Sequence, residues 1–465
     1  MPTLSDYQEY ALERLLRNPR NVEQRKYGLF DEQGVGKTAP TIMAMWEQRN
    51  DYGDMPWLVT APSYLLGNWA RELKLWLPEA KVVVANHEER SRRSEQLNEN
   101  AHFILTGYHT WNRLKVGGEV RFHPQFNKRR WQGLTFDEAH RLRGRNSDWT
   151  KRLFQLQNVD SKNKDAWYWF LTGTPIVRDA GDVWPFLHLC NRPVYRSYWN
   201  YVRSVCFTDV TPWEEVIGDV RDPVAFQNIM QRYSLRRLAK SIPQLADLEH
   251  SEKTIWVDLP PSVSQALQRA KKTYVMSHPD MDDKAYESGG ALMIDLLRMS
   301  TKPPTQANPK IETLIDWLRN EAPNERVGIG VWFRASAQEV KERLEKAFKG
   351  RRVLLITGDT KARLRDQYVQ EYTNTPNAIL IGTIAAIKEG LNLQAGRNCV
   401  FLEQSDLEDE NAQFVARFKR RGQRQLVRVV KIFANGPDAW KDKAVRKRAI
   451  SVRKAMLEEF LSEPL

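Results

Sequence analysis

The chain has 465 residues, 41% of them hydrophobic, which is enough for roughly two to four domains with substantial cores, and no window has the length and apolarity of a membrane span or secretory leader. Three cysteines without a Cys-x-x-Cys pair (Cys190, Cys206, Cys399) give no basis for a disulfide framework or a zinc site, so a soluble, cytoplasmic protein is expected. The net charge of +13 favours a polyanionic partner, because lysines and arginines that neutralise phosphates gain from counterion release, and clusters such as Lys128-Arg129-Arg130, Arg141/Arg143/Arg145 and Arg417 to Arg424 tilt that partner toward nucleic acid.

The first predicted element is an amphipathic helix opened by Leu4-Ser5-Asp6-Tyr7-Gln8 and running through Leu12, Leu15 and Leu16. Its bland reading is a packing helix, but the Gln8 amide donates and accepts at once and can read an adenine edge if a nucleotide binds just downstream. Such a site follows. The apolar run Tyr27 to Phe30 ends in a glycine-bearing turn, and Gly34-Val35-Gly36-Lys37-Thr38 opens a helix carrying Ile42, Met43 and Met45. Backbone N–H groups at a helix start bind phosphate, Lys37 adds a point charge for the β- and γ-phosphates, and the Thr38 hydroxyl is placed to ligate Mg²⁺. Against the strict G-x-x-x-x-G-K-[ST] rule, Asp31 stands where the first glycine should be.

Further apolar strands are predicted at Trp57 to Thr60, Lys81 to Ala85, Phe103 to Thr106, Leu134 to Phe136 and Trp167 to Leu171. A helix with Leu65, Trp69, Leu73 and Trp76 on one face follows the first of them, a spacing read as core packing. Strands apolar throughout and separated by helices describe a parallel sheet covered on both faces, with ligands at the carboxyl strand ends. Two acidic residues lie at such an end. Asp137, in Asp137-Glu138-Ala139-His140, can hold Mg²⁺, and Glu138 can orient or deprotonate an attacking water. Leu171-Thr172-Gly173-Thr174-Pro175 closes the next strand with two hydroxyls able to bond that acidic pair.

These motifs, in this order, with Ala61-Pro62-Ser63 to Trp69, the Arg141-Leu142 extension of DEAH, Leu235-Arg236-Arg237 and Gln413-x-x-x-Arg417-x-x-Arg420-x-Gly422-Gln423, resemble the Swi/Snf-like branch of the superfamily-two DNA motors across almost the whole chain. A second strand series at Val327 to Phe333, Val353 to Ile356, Ala378 to Ile381, Cys399 to Leu402 and Val427 to Phe433 has no second P-loop and looks like the family's second lobe. The resemblance implies an α/β fold of two tandem RecA-like parallel-sheet lobes with helical insertions. The lobes are expected at 1–240 and 241–438, with insertion helices around Val183 to Leu189, Phe226 to Leu238 and Val263 to Met276, and a C-terminal brace helix at 439–465.

The activity implied is that of a DNA-dependent ATPase translocating on double-stranded DNA, with ATP and Mg²⁺ as cofactors, as a monomeric motor of compact bacterial or phage type. Lys37 and Glu138 are the expected catalytic residues of lobe one. Gln8, Gly34, Gly36, Lys37, Thr38, Asp137 and Gln423 are expected at ATP, with Thr38 and Asp137 at the metal. Arg417 and Arg420, three apart on an expected helix, would share a face and act as arginine fingers. Thr172, Thr174 and Gly390 are expected to couple ATP to DNA, Gly390 in a segment from Gly382 that departs from the family pattern by one extra residue and fewer glycines. Expected DNA contacts are Ser63, Asn68, Thr106 and Arg141 in lobe one and Arg334, Thr383 and Lys388 in lobe two, all to the phosphate backbone and so independent of sequence. Three rivals share some or all of these motifs: a strand-separating helicase, an RNA-dependent ATPase of DEAH type and a non-enzymatic DNA clamp.

Overall fold

The structure, a computed structural model, describes residues 2–16, 25–50, 55–86, 90–111, 114–116, 119–121, 125–156, 161–210, 215–243, 250–273, 275–278, 281–285, 289–301, 308–387, 391–419, 423 and 425–445. Arg420, Lys388, Gly390 and the part of the expected brace helix beyond residue 445 lie outside them. Two compact units divide the chain, one running to residue 247 and the other taking the described residues from 250 to 445.

The first unit is built on seven parallel strands, β1 (Lys26–Leu29), β2 (Trp57–Ala61), β3 (Val82–Ala85), β4 (Phe103–Gly107), β5 (Gly133–Asp137), β6 (Trp167–Leu171) and β7 (Ser234–Leu235). Their order across the sheet is β7-β1-β6-β5-β2-β4-β3. All of them except β3 are buried almost throughout, because side chains alternate between two covered faces. In β2, Leu58 joins the core on one face, with Phe136 and Phe170, while Trp57 and Val59 join the other, with Trp69 and Trp169. Helices α1 (Asp6–Leu16), α2 (Thr38–Asn50) and α3 (Leu66–Trp76) belong to this second face, contributing Leu15, Ile42 and Leu73 among others.

The second unit repeats the plan with six parallel strands, β8 (His250–Val257), β9 (Val327–Val331), β10 (Val353–Ile356), β11 (Ile379–Thr383), β12 (Asn398–Phe401) and β13 (Val427–Ala434), ordered β8-β13-β12-β9-β11-β10. In β9, Val327, Ile329 and Val331 fill one core. Gly328 and Gly330 alternate with them and admit Phe418 and Phe414; a Cβ added at these glycines would lie 2.4 Å and 2.6 Å from the two rings. The tandem α/β architecture expected from the sequence is therefore present, one twisted parallel sheet per unit with helices on both faces.

Three local expectations are corrected. The helix expected from Phe226 to Leu238 runs from Pro223 to Tyr233, capped by the Asp222 carboxylate on the Ala225 N–H, and then gives way to strand β7. Pairing of Ser234 and Leu235 with Gly28 and Leu29 outweighs the helical pattern there. The helix expected from Val263 to Met276 ends at Thr273, and residues 275–278 form one strand of a short ribbon. Strand β8 was not anticipated: its sequence, HSEKTIWV, is polar because it lies at a sheet edge with its first four residues exposed. Near the C-terminus, residues 437–445 are helical. Lys441 is pinned there, its ammonium 3.1 Å from the Trp332 ring centroid and 3.3 Å from the Asp406 carboxylate. Among the described residues no helix is long and apolar enough to cross a membrane.

Candidate nucleotide site

Strands β1, β6 and β5 are neighbours, so the segments leaving their carboxyl ends converge: the P-loop after β1, LTGTP after β6 and DEAH after β5. Gly34 and Gly36 have φ of 88° and 90°, left-handed conformations that a side chain would strain. Gly36 has a second constraint, since a Cβ there would sit 2.8 Å from the Gln8 amide nitrogen. That nitrogen donates to the Gly36 carbonyl at 3.2 Å, while the Gln8 carbonyl oxygen accepts from the Ser5 N–H and hydroxyl. Thus α1 delivers the Gln8 amide to the P-loop, 28 positions away in the chain.

Lys37 folds back over the loop and donates to the carbonyls of Asp31 (2.8 Å) and Glu32 (3.2 Å). Burial pushes its ammonium below the ordinary lysine range, and the charges of Glu138, Asp31 and Asp137 oppose that shift. Asp137 ends β5. Its Oδ1 accepts the Glu138 N–H at 3.0 Å and its Oδ2 accepts the Trp69 indole N–H at 2.8 Å. Burial and the neighbouring Glu138 charge push its carboxyl up to about 6. Glu138 has φ of 52°, the only positive value outside glycine among the described residues. A left-handed glutamate is costly, and such strain clusters where a side chain must be aimed for chemistry. Gln33 donates to the Glu138 carboxylate at 3.4 Å, and the His140 Nδ1 lies 3.3 Å from Glu138 and 3.1 Å from the Thr172 hydroxyl. Thr172 also accepts the Thr174 N–H, so Thr172 joins the acidic turn's network through its hydroxyl and Thr174 only through its backbone.

The donors fit magnesium by type. Asp137 offers a carboxylate and Thr38, the first residue of α2, a hydroxyl, and Mg²⁺ prefers one or two protein oxygens supplemented by phosphate and water. Among the described residues no cluster of three or more histidines, cysteines or carboxylates is placed to hold a metal unaided.

The position of Asp137 in the fold makes a pH response. Its folded-state pKa lies above the ordinary 3.8, so the folded protein binds this proton more tightly than the unfolded chain. Stability from this group therefore rises as pH falls from above 6 toward 3.8 and is absent at neutral pH. In calorimetry with EDTA, wild type is expected to gain more melting temperature between pH 7.5 and pH 5 than Asp137→Asn does; equal gains would refute the assignment.

Residues 7–304 match the family model for the SNF2-related domain, and residues 309–423 match the helicase conserved C-terminal domain. The chain belongs to the SNF2-related family. It is 25% identical over 449 residues to a protein named an uncharacterized ATP-dependent helicase from Mycoplasma pneumoniae, covering 93% of this chain and 40% of that protein. It is 30% identical over 260 residues to human chromodomain-helicase-DNA-binding protein 7, covering 54% of this chain and 8% of that one. A solved SWI2/SNF2 ATPase core from Sulfolobus solfataricus, in complex with dsDNA, aligns over 99% of this chain and 95% of its own, with 17% identity and a TM-score of 0.43. The chain spans less than half the length of these curated relatives.

Within this SNF2-related chain, several expected site residues sit elsewhere than their roles require. Thr106, expected at DNA, is wholly buried with its hydroxyl on the Ala85 carbonyl, because β4 is covered on both faces. Thr383 is likewise buried at the end of β11. Gln423, expected at ATP, spends its amide on the carbonyls of Gln394, Gly396 and Phe418, strapping one loop of the second unit. The helix expected to carry Arg417 and Arg420 runs only from Glu408 to Val415. Arg417 follows in a tightened turn, closed by its own N–H on Phe414 and by the Phe418 N–H on Val415, and is 8% exposed. Arg417 therefore lies beyond the end of that helix, and Arg420 lies outside the described residues. Ser63 is exposed, Asn68 and Arg141 are half-buried, and Arg334 is exposed and paired with Asp359 at 2.5 Å.

Four residues went unassigned in the sequence. Arg237 donates to both carboxylate oxygens of Asp31, at 3.2 and 2.5 Å, and to the Tyr7 carbonyl, and Arg236 donates to the carbonyls of Phe30 and Gly173. Leu235-Arg236-Arg237 thus ties the P-loop, α1 and LTGTP together from the end of β7. Trp69 and Tyr108 both reach Asp137. The doubled arginine directly after Leu235 was visible in the sequence; a tryptophan at core spacing carries no sign that its N–H has a polar target.

Proposed function

We propose that this chain is a DNA-dependent ATPase whose two lobes step along double-stranded DNA without reading its sequence. The observation that carries the ATPase part is the convergence of Gln8, Lys37, Asp137 and Glu138 on one loop at adjacent carboxyl strand ends. Gln8 presents its amide to the adenine edge. Lys37 leaves the Asp31 and Glu32 carbonyls to take up the β- and γ-phosphates, and the N–H groups of Gly34 to Thr38 cradle them. Thr38 and Asp137 would hold magnesium, which would neutralise phosphate charge. Glu138 accepts the proton of the attacking water, with Gln33 and His140 holding its carboxylate in place. Arg417 and Arg420 of the second lobe complete the site as arginine fingers, which requires Arg417 to leave the packing that now covers it.

For DNA, the support is the net charge of +13 and membership of a family in which a relative is named a DNA-binding helicase. Ser63, Asn68, Arg141 and Arg334 remain as backbone contacts, so binding weakens with salt.

ATP turnover measured without nucleic acid, with single-stranded DNA and with closed circular duplex tests this reading. The strongest stimulation is expected from the closed duplex, which has neither end nor fork. Stimulation by single strands alone would replace the reading with a strand-separating helicase, and a Lys37→Ala protein with full biological activity would make it a clamp.

A further inference from the structure

Two side chains that no step above uses grip Asp137. The Trp69 indole N–H donates to its Oδ2 at 2.8 Å, and the Tyr108 hydroxyl donates to its backbone carbonyl at 2.9 Å. Both donor residues are buried, at 1% and 3% exposure, while Asp137 itself is half-buried. Core packing accounts for their rings but not for their polar atoms. In the same core the indole nitrogens of Trp167 and Trp169 are buried with no hydrogen-bond partner, so packing here does not by itself direct a tryptophan N–H to an acceptor.

The origin of the two side chains gives their arrangement a sense. Trp69 follows Asn68 on α3, just after the turn Ser63–Leu65 that leaves β2. Tyr108 opens the turn Tyr108–Trp111 that leaves β4, and its neighbour His109 meets the Ser63 hydroxyl through Nδ1 at 2.8 Å. Ser63 and His109 are exposed. Two segments joined at the surface by a serine–histidine pair therefore each send one buried donor to the same aspartate. A phosphate that draws on the Ser63 hydroxyl competes with His109 for it and displaces both segments at their surface end.

We infer that Trp69 and Tyr108 are positioning residues which transmit occupancy of the Ser63–His109 surface by a nucleic-acid phosphate backbone to the setting of Asp137. This rests on the proposed roles of Asp137 at the metal and of Ser63 and Asn68 at DNA. Where the transmitted change alters nucleotide affinity, the coupling is reciprocal: bound nucleotide then alters DNA affinity by the same factor.

The test is the Kd for a fluorescent duplex with and without saturating Mg²⁺ and a non-hydrolysable ATP analogue, in wild type, Tyr108→Phe and Trp69→Phe. Tyr108→Phe keeps the ring and removes only the donor. The ratio of the two Kd values is expected to move toward one by at least about fivefold in each variant, while the Kd without nucleotide stays within about twofold of wild type, as a coupling role and not a binding role requires. If wild type couples and Tyr108→Phe keeps its ratio, this inference fails and the proposed function stands. If wild type itself shows a ratio of one, the two sites are not linked in binding and this inference fails, while the proposed function is decided by DNA stimulation of ATP turnover. A melting temperature for each variant separates loss of coupling from loss of fold.

Discussion

Replacing Asp31 with glycine, which restores the residue that opens the general P-loop pattern, is expected to damage the first unit. Asp31 and Arg237 are 1% and 2% exposed and bridge residues 206 positions apart. Arg237 also donates to the Tyr7 carbonyl, and its guanidinium lies within 6 Å of the Tyr7 and Tyr10 rings, so one charge holds the loop and the first helix together. A buried pair is weak evidence of net stabilisation, but removing one member strands the other charge at a cost of about 3–5 kcal/mol. At roughly 2–4 °C per kcal/mol for a unit of this size, the melting transition of the first unit should fall by roughly 6–20 °C. The double variant Asp31→Gly with Arg237→Met, which leaves no charge behind, should recover most of the loss. A single variant that melts with wild type would mean that Arg237 finds solvent or another partner, and the anchoring role would be withdrawn.

Glu138→Gln is expected to reduce ATP turnover by about 10²- to 10⁴-fold, the range for loss of a positioned general base, while binding of a fluorescent ATP analogue stays close to wild type. Glutamine keeps an oxygen for the Gln33 amide and keeps the shape of the side chain, so binding and chemistry are separated. The strained backbone at φ 52° remains in the variant, and the fold should melt where wild type does. A loss below about tenfold with binding intact would remove Glu138 from the role of base and send the search to His140, whose ring contacts both Glu138 and Thr172.

Most strands of both sheets that could be read from the sequence are buried on both faces, and the edge strands β3 and β10 were legible because they too are apolar runs. Trp57 to Thr60 or Ala378 to Ile381 must be apolar without interruption, and that run is what composition displays. β8 escaped because its exposed start leaves it a polar sequence with no apolar run, and β7 escaped because two residues of strand are set by their pairing partner and not by their own pattern. The same division runs through the site. Lys37, Asp137 and Glu138 were legible because phosphate, metal and water chemistry admit few residue types at fixed spacing. The helix expected to carry Arg417 was overextended, because a three-residue spacing implies a helical face only while the helix lasts, and this one ends at Val415.

What the sequence determined by itself is the family, the tandem parallel-sheet plan and the nucleotide motifs, because each is written in local runs and spacings that chemistry restricts. What only the tertiary structure decided is how those motifs are held. Asp31 meets Arg237 across 206 residues and Asp137 meets Trp69 across 68, and a long-range hydrogen bond needs only a donor and an acceptor at one point in space, a requirement that leaves no period, run or spacing along the chain.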